Sequence, residues 1–229
     1  MRRIRAVLFF ELGLTGMILP LLGAEQRVEV IKTERVSFAP GGMIRVDGSY
    51  GNLNVEGWER PEVEITVVKS TQKYYESKQR EKAAKRLDSV RIAADRRSDT
   101  ELAISTEKSG GVSVDYEIRV PRDSRIEIRH GTGQVIVANV TGDIHATGHR
   151  GDLLLMLPDK GAYTIDAKTK VGVVTSDFPG DLHRRQYWIG ERFASPSASH
   201  RVYLRMGFGG ITIKSVPPEA EPPVTTSAQ

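Results

Sequence analysis

The 229-residue chain carries 33 Lys and Arg against 29 Asp and Glu, has 22 Gly and lacks Cys entirely. Without Cys, disulfides, thiolate metal sites and lipid attachment through a leader cysteine are excluded. The small formal excess of +4, with no long like-charge block, argues against nucleic acid or an anionic membrane surface as partner.

Met1-Arg2-Arg3-Ile4-Arg5 is a positive start, positions 6–22 are mostly apolar, and Leu22-Gly23-Ala24 ends in a small residue. That order predicts a signal peptide over 1–24 and a mature chain from Glu25, exported to the periplasm or the cell surface. Glu11 interrupts the apolar run, which is short for a bilayer crossing, so no stable membrane span is expected after cleavage. The leader holds three basic residues and one acidic residue. Its removal leaves 30 Lys and Arg against 28 Asp and Glu. One domain over 25–216 is expected, long enough to build one sizeable core.

Val and Ile among charges over Glu25–Ser37 predict an entry strand, and Asp47-Gly48-Ser49-Tyr50-Gly51 reads as a turn. A strand ending at Val55-Glu56-Gly57-Trp58 follows. Val63, Ile65 and Val67 then alternate with Glu62, Glu64 and Thr66, the period-two signature of a half-buried strand. Over 74–90 the period becomes helical. Ala83, Ala84 and Leu87 share a face, and Glu76–Arg80 and Glu81–Lys85 are favourable four-residue pairs, so one amphipathic helix is expected across a corner or end of the strands.

Strands resume at Val90–Ile92, Glu101–Ser105, Val112–Val120 and Ile126–Ile128. From Gly133 a nine-residue unit repeats: GQVIVANVT, GDIHATGHR, GDLLLMLPD. Each is a Gly, one variable residue, then two inward positions separated by one outward position. GMIRV at Gly42, GNLNV at Gly51, GGVSV at Gly110, GAYTI at Gly161 and GGITI at Gly209 repeat the motif. A short strand and a tight corner at fixed spacing predict an all-β fold, a β-solenoid or β-helix-like stack with the helix packed on it. An antiparallel meander with Gly in its hairpins is the alternative. Val135, Val137, Ile144, Leu153, Leu155, Tyr163, Ile165, Ile211 and Ile213 are the expected inward columns. Ala146 is small for such a position. Leu153–Leu157 is apolar on both faces, which predicts a strand covered on both sides, by the helix or a partner. His183–His200 breaks the rhythm and reads as an irregular loop. The Pro-rich stretch 217–229 predicts a disordered tail.

The run VDYEIRVPRDSRIEIRHGTGQVIVANVTGDIHATGHRGDLLL is similar to the DUF4097 family of bacterial exported proteins, provisionally labelled adhesins. The matching positions are Tyr116, Val120, Pro121, Gly133, Gly142, Asp143, Gly151 and Asp152, and the closing GFGGITIKSV resembles the family's final rung. The resemblance spans roughly Met43 to Val216. It implies a solenoid-like fold and a cell-envelope setting, and brings no catalytic residues with it.

Chemical motifs are sparse. His145 and His149 lie four apart across Thr147-Gly148, with His130, Asp143 and Asp152 nearby, but outward His and turn-capping Asp account for them better than a metal. No metal site and no cofactor is expected. Nucleophile elbows, zincin motifs and phosphate loops are absent from the sequence. Asp152, Asp166, Lys168 and Lys170 form an outward strip of the kind β-helix polysaccharide enzymes use, yet any strand exterior looks similar. Arg184, Arg185, Tyr187, Trp188 and Phe193, in the irregular stretch, are the candidate partner-contact residues, better suited to a carbohydrate or protein than to nucleic acid. The expectation is a non-enzymatic envelope scaffold or adhesin-like binding protein whose partner is an envelope protein or glycan. The alternatives are a small polysaccharide-acting β-helix enzyme and, by family analogy, a partner in envelope-stress signalling.

Overall fold

The computed structural model describes residues 28–71, 80–106, 111–158, 163–184 and 189–217. The expected leader, the tail from 218 and helix positions 74–79 lie outside them. The elements are β1 (Glu29–Ser37), β2 (Met43–Tyr50), β3 (Leu53–Trp58), β4 (Glu62–Thr71), α1 (Arg80–Ser89), β5 (Ile92–Ser98), β6 (Glu101–Thr106), β7 (Val112–Pro121) and β8 (Arg125–Thr132). They continue as β9 (Val135–Ala138), β10 (Ile144–Arg150), β11 (Leu153–Leu157), β12 (Tyr163–Val171), β13 (Val174–Ser176), β14 (Asp181–Arg184), β15 (Glu191–Ala194), β16 (His200–Phe208) and β17 (Ile211–Ser215).

The described residues are all-β apart from α1, and their strands form two mixed sheets, neither of which closes. The eight-stranded sheet runs β1-β4-β7-β3-β9-β11-β17-β13 and the nine-stranded sheet runs β14-β15-β12-β16-β10-β8-β2-β6-β5. Central pairs are parallel, whereas β1, β4, β5, β14 and β15 join antiparallel towards the edges. From β2 onward the chain repeatedly places one strand in the nine-stranded sheet and the next in the other, so β2–β3, β8–β9, β10–β11, β12–β13 and β16–β17 each make one rung. The nine-residue unit is therefore half a rung. Ile126 pairs with Ile144 and Val135 with Leu153, each eighteen positions on.

Rung order differs from chain order. β6–β7 lies outside β2–β3, and β16–β17 is inserted between β10–β11 and β12–β13. A stack grown in sequence order would put none of them there.

Alternation sends every second side chain inward. Ile44, Ile126, Ile144, Val202 and Ile165 pair in one row, and Leu53, Val135, Leu153, Ile211 and Val174 in the facing sheet. All belong to a single core cluster shared by both sheets. The nine inward positions read from the sequence are all buried, each contributing roughly 1.5–3 kcal/mol. Ala146 is fully buried too, with Ile128 and Leu204 as its strand partners.

The corners explain the glycines. Gly51, Gly133, Gly151, Gly209 and Gly172 all have φ near +130° and lie at successive rung corners. At Gly133, φ is +136° and an added Cβ would overlap the Gly51 carbonyl oxygen of the rung beside it. Only a residue without Cβ permits that approach. The residue after the corner glycine ties rungs together: the Gly210 amide donates to Asp152 Oδ1 at 2.8 Å, and the Gln134 amide to Asn52 Oδ1 at 3.1 Å.

Three local expectations change. The expected turn at 47–51 is the end of β2, with the corner at Gly51 alone, because Asp47, Gly48 and Tyr50 pair with β8. The helix packs on β1 and β4, where Ala83, Leu87 and Val90 are buried. It does not cover β11, and Leu154 and Met156 remain half-buried on the outer face. Lys69 Nζ, on β4, donates to the Leu87 and Val90 carbonyls at 3.3 and 2.6 Å and so caps the C-terminal end of α1. Lastly, His183–His200 takes in the end of β14 and all of β15, a pair that joins the nine-stranded sheet through β12.

Candidate functional site: the outer face of the nine-stranded sheet

Side chains that alternation turns away from the core line up across this sheet in two rows. In the first, Arg45, Glu127, His145, Tyr203 and Asp166 are successive strand partners from β2 to β12. In the second, Asp47, Arg129, Thr147, Arg205, Lys168, Arg192 and His183 follow one another from β2 to β14.

At the β2 side the charges are neutralised. Arg45 pairs with Glu101 and with Glu127 (3.0 Å), and Arg129 reaches Glu127 at 2.8 Å. The hydrogen bond from Arg45 holds the Glu127 carboxyl below the usual carboxylate range. Towards β16 the face becomes aromatic. His145 meets Tyr203 edge-on with centroids 4.6 Å apart, and the Arg205 guanidinium lies 3.6 Å from the Tyr203 ring centroid. Tyr203 is 38% exposed.

Asp166 sits between two guanidinium groups, 2.8 Å from Arg205 and 3.2 Å from Arg192. Burial works to raise its pKa, but the hydrogen bonds from Arg205 and Arg192 outweigh it and leave the carboxyl lower than usual. Such a group stays ionised and is poorly suited to donate a proton. Asp152 is engaged with the Gly210 amide at a rung corner. The strip Asp152, Asp166, Lys168 and Lys170 thus holds no pair of carboxylates arranged around one point.

Beside Asp166, a cavity of about 230 Å³ is lined by Lys168, Thr169, Gly190, Glu191, Arg192 and Arg205. Glu191 forms its floor: it is buried, accepts the Val174 amide at 2.9 Å and pairs with Arg184 at 2.8 Å. Lys168 has no carboxylate within ion-pair distance and no hydrogen bond among the described residues. A second, shallow depression of about 370 Å³ lies over Asp47, Gly48, Arg129, His130 and His149.

Of the residues singled out as partner contacts, Arg184 is exposed on β14 and tied to Glu191. Arg185, Tyr187 and Trp188 lie outside the described residues. Phe193 points into the core at 4% exposure, since β15 alternates and Glu191 and Phe193 take its inward positions. It is a packing residue. His130 also departs from expectation: it is the third inward side chain of β8, buried, with Nε2 at 2.8 Å from the Gly51 carbonyl and Nδ1 without a hydrogen bond among the described residues. Desolvation lowers its pKa against the opposing hydrogen bonds. No group of three or more His, Asp or Glu suited to a metal occurs among the described residues. Register is what reveals the cation row, and the sequence carries no local sign of it.

The architecture is that of two mixed sheets around one core, with a polar, partly aromatic outer wall. A solved structure from Clostridium sporogenes, provisionally named a cell adhesion protein, shares this fold. It is 15% identical, with a TM-score of 0.50, covering 83% of this chain and all of its own. Provisionally named adhesins from Parabacteroides distasonis and Bacteroides fragilis align at 13% and 8% identity with TM-scores of 0.23 and 0.27. They cover 80% of this chain in both cases, and 70% and 97% of their own. No family profile and no curated protein matches the chain.

Proposed function

We propose that the protein is a non-enzymatic, adhesin-like binding protein of the cell envelope. In this reading its interleaved rungs act as a solenoid-like wall, and the outer face of the nine-stranded sheet contacts an envelope protein or glycan. The observation that carries the reading is the face itself: charged and aromatic side chains held in two rows across neighbouring strands, with Tyr203 exposed between His145 and Arg205. A flat, pre-organised surface suits recognition of an extended partner. The provisional adhesion name of the Clostridium sporogenes protein with the same fold agrees with it. Among the described residues no helix is long and apolar enough to cross a membrane. Export to the periplasm or surface and membership of the DUF4097 family belong to the same proposal.

The test is retention of the labelled chain on isolated envelope fractions. The wild type and an Asn54→Arg variant on the opposite outer face should be retained equally, and Tyr203→Ala combined with Arg129→Ala should lose most retention. Equal retention of all three would overturn the reading, as would release of reducing ends from a polysaccharide panel.

A further inference from the structure

We infer that Arg205, Lys168 and Arg192 form a binding site for an oxyanion, a carboxylate or sulfate of the kind displayed on acidic polysaccharides. This deepens the binding role proposed above by giving the outer face its ligand chemistry.

The register makes the case. Lys168 on β12 is the direct partner of Arg205 on β16 and of Arg192 on β15, so three cations occupy adjacent positions on three neighbouring strands. Like charges directly opposite each other destabilise a sheet. Elsewhere on the same face the protein avoids this, alternating Arg45 with Glu101 and Glu127. Here a single carboxylate, Asp166, serves both arginines, and Lys168 between them is left unpaired among the described residues. Glu191, the other nearby acid, is taken by Arg184 and the Val174 amide. The excess positive charge borders the cavity of about 230 Å³ whose lining includes all three cations. A group of oxyanion size fits such a volume.

Geometry also prepares the donors. Arg205 is fixed by the Asp166 carboxylate, by the Asp166 backbone carbonyl at 2.8 Å and by the Tyr203 ring. Arg192 is fixed by Asp166 Oδ1 and Oδ2 at 3.2 and 3.3 Å. Two planar guanidinium groups held by neighbours lose little freedom on binding, and an ammonium group between them supplies a charge with free donors. A local arrangement that costs stability without an internal partner marks a place kept for a ligand.

The experiment is calorimetric titration of the full chain with sodium sulfate, with a uronic-acid tetrasaccharide and with its neutral counterpart, each repeated for Lys168→Thr and for Arg201→Ala. Arg201 is an exposed cation of β16 outside the cavity. Sulfate or uronate should bind the wild type and Arg201→Ala alike, the neutral sugar should not bind, and Lys168→Thr should weaken binding at least about tenfold. Uronate binding tighter than sulfate would identify a glycan as the source of the anion, and the reverse would identify a free ion. Without ligand, Lys168→Thr should raise the thermal midpoint by about 1–3 °C, because it removes two like-charge contacts. Absence of binding by both anions, binding indifferent to Lys168→Thr, or a lowered midpoint in that variant would each overturn the site. Loss of anion binding with envelope retention intact would remove this inference and leave the proposed function standing. Anion binding without retention would do the opposite.

Discussion

Replacing Gly133 by Ala strikes the corner on which the rungs turn. Two costs combine. A φ of +136° is hostile to any residue with a Cβ and amounts to about 1–3 kcal/mol. The new methyl would also overlap the Gly51 carbonyl oxygen, a main-chain atom fixed between neighbouring rungs, with no flexible side chain to yield. Overpacking of that kind adds about 1–3 kcal/mol. The sum is about 2–6 kcal/mol, and for a chain of this size each kcal/mol moves the thermal midpoint by about 2–4 °C. A fall of at least about 4 °C is expected in a melt followed by far-ultraviolet circular dichroism, with a parallel loss in the urea midpoint. Gly41→Ala separates the two costs. Its φ is +71°, but the nearest atom to an added Cβ is Asp123 Oδ2 at 3.9 Å, so only the strain of about 1–2 kcal/mol applies. If Gly133→Ala proves no more damaging than Gly41→Ala, close stacking of rungs is not what the corner glycine serves.

Val137 is completely buried, and Val137→Asp should unfold the protein or abolish its accumulation, because an unpaired carboxylate in an apolar core is strongly destabilising. Arg150→Ala, which loses only a cation–π contact with Phe208 at 5.9 Å, should shift stability by no more than about 0.5 kcal/mol in the same melt. For His130, desolvation makes the folded-state pKa lower than the unfolded one. The unfolded chain then binds the extra proton, so stability is complete above about pH 6.5 and declines as the pH falls below it. Urea midpoints measured between pH 7 and 5 should fall for the wild type and fall less for His130→Gln; parallel slopes would contradict the assignment. Lys69→Met removes the ammonium cap on the Leu87 and Val90 carbonyls and should destabilise α1 by about 1–2 kcal/mol. Faster amide exchange confined to α1 and its neighbours is the expected sign, and unchanged exchange would refute the capping role.

What was legible in the sequence was local. Alternation named the inward columns, and Gly at nine-residue spacing marked the corners, because both follow from one strand and one turn. Helical spacing found Ala83 and Leu87 for the same reason. Rung order was hidden. Ile44 pairs with Ile126 and Ile144 with Val202, contacts far apart in sequence that no local pattern encodes. His130 could have been read, since Ile126 and Ile128 already set the inward parity of its strand. The polar residues around Phe193 suggest a surface position, although Glu191 and Phe193 share the inward parity of a short strand. The cation row needs two registers at once, the parallel pairing of β12 with β16 and the antiparallel pairing of β12 with β15, and emerges only when the three strands are laid side by side.

Hydroxyl-radical footprinting of the chain bound to envelope fractions reports which outer face meets the partner. Binding through the nine-stranded sheet predicts protection of Tyr203 and His145, with Leu154 and Met156 on the opposite sheet as reactive as in the free chain. Protection of Leu154 and Met156 with Tyr203 unchanged would contradict it.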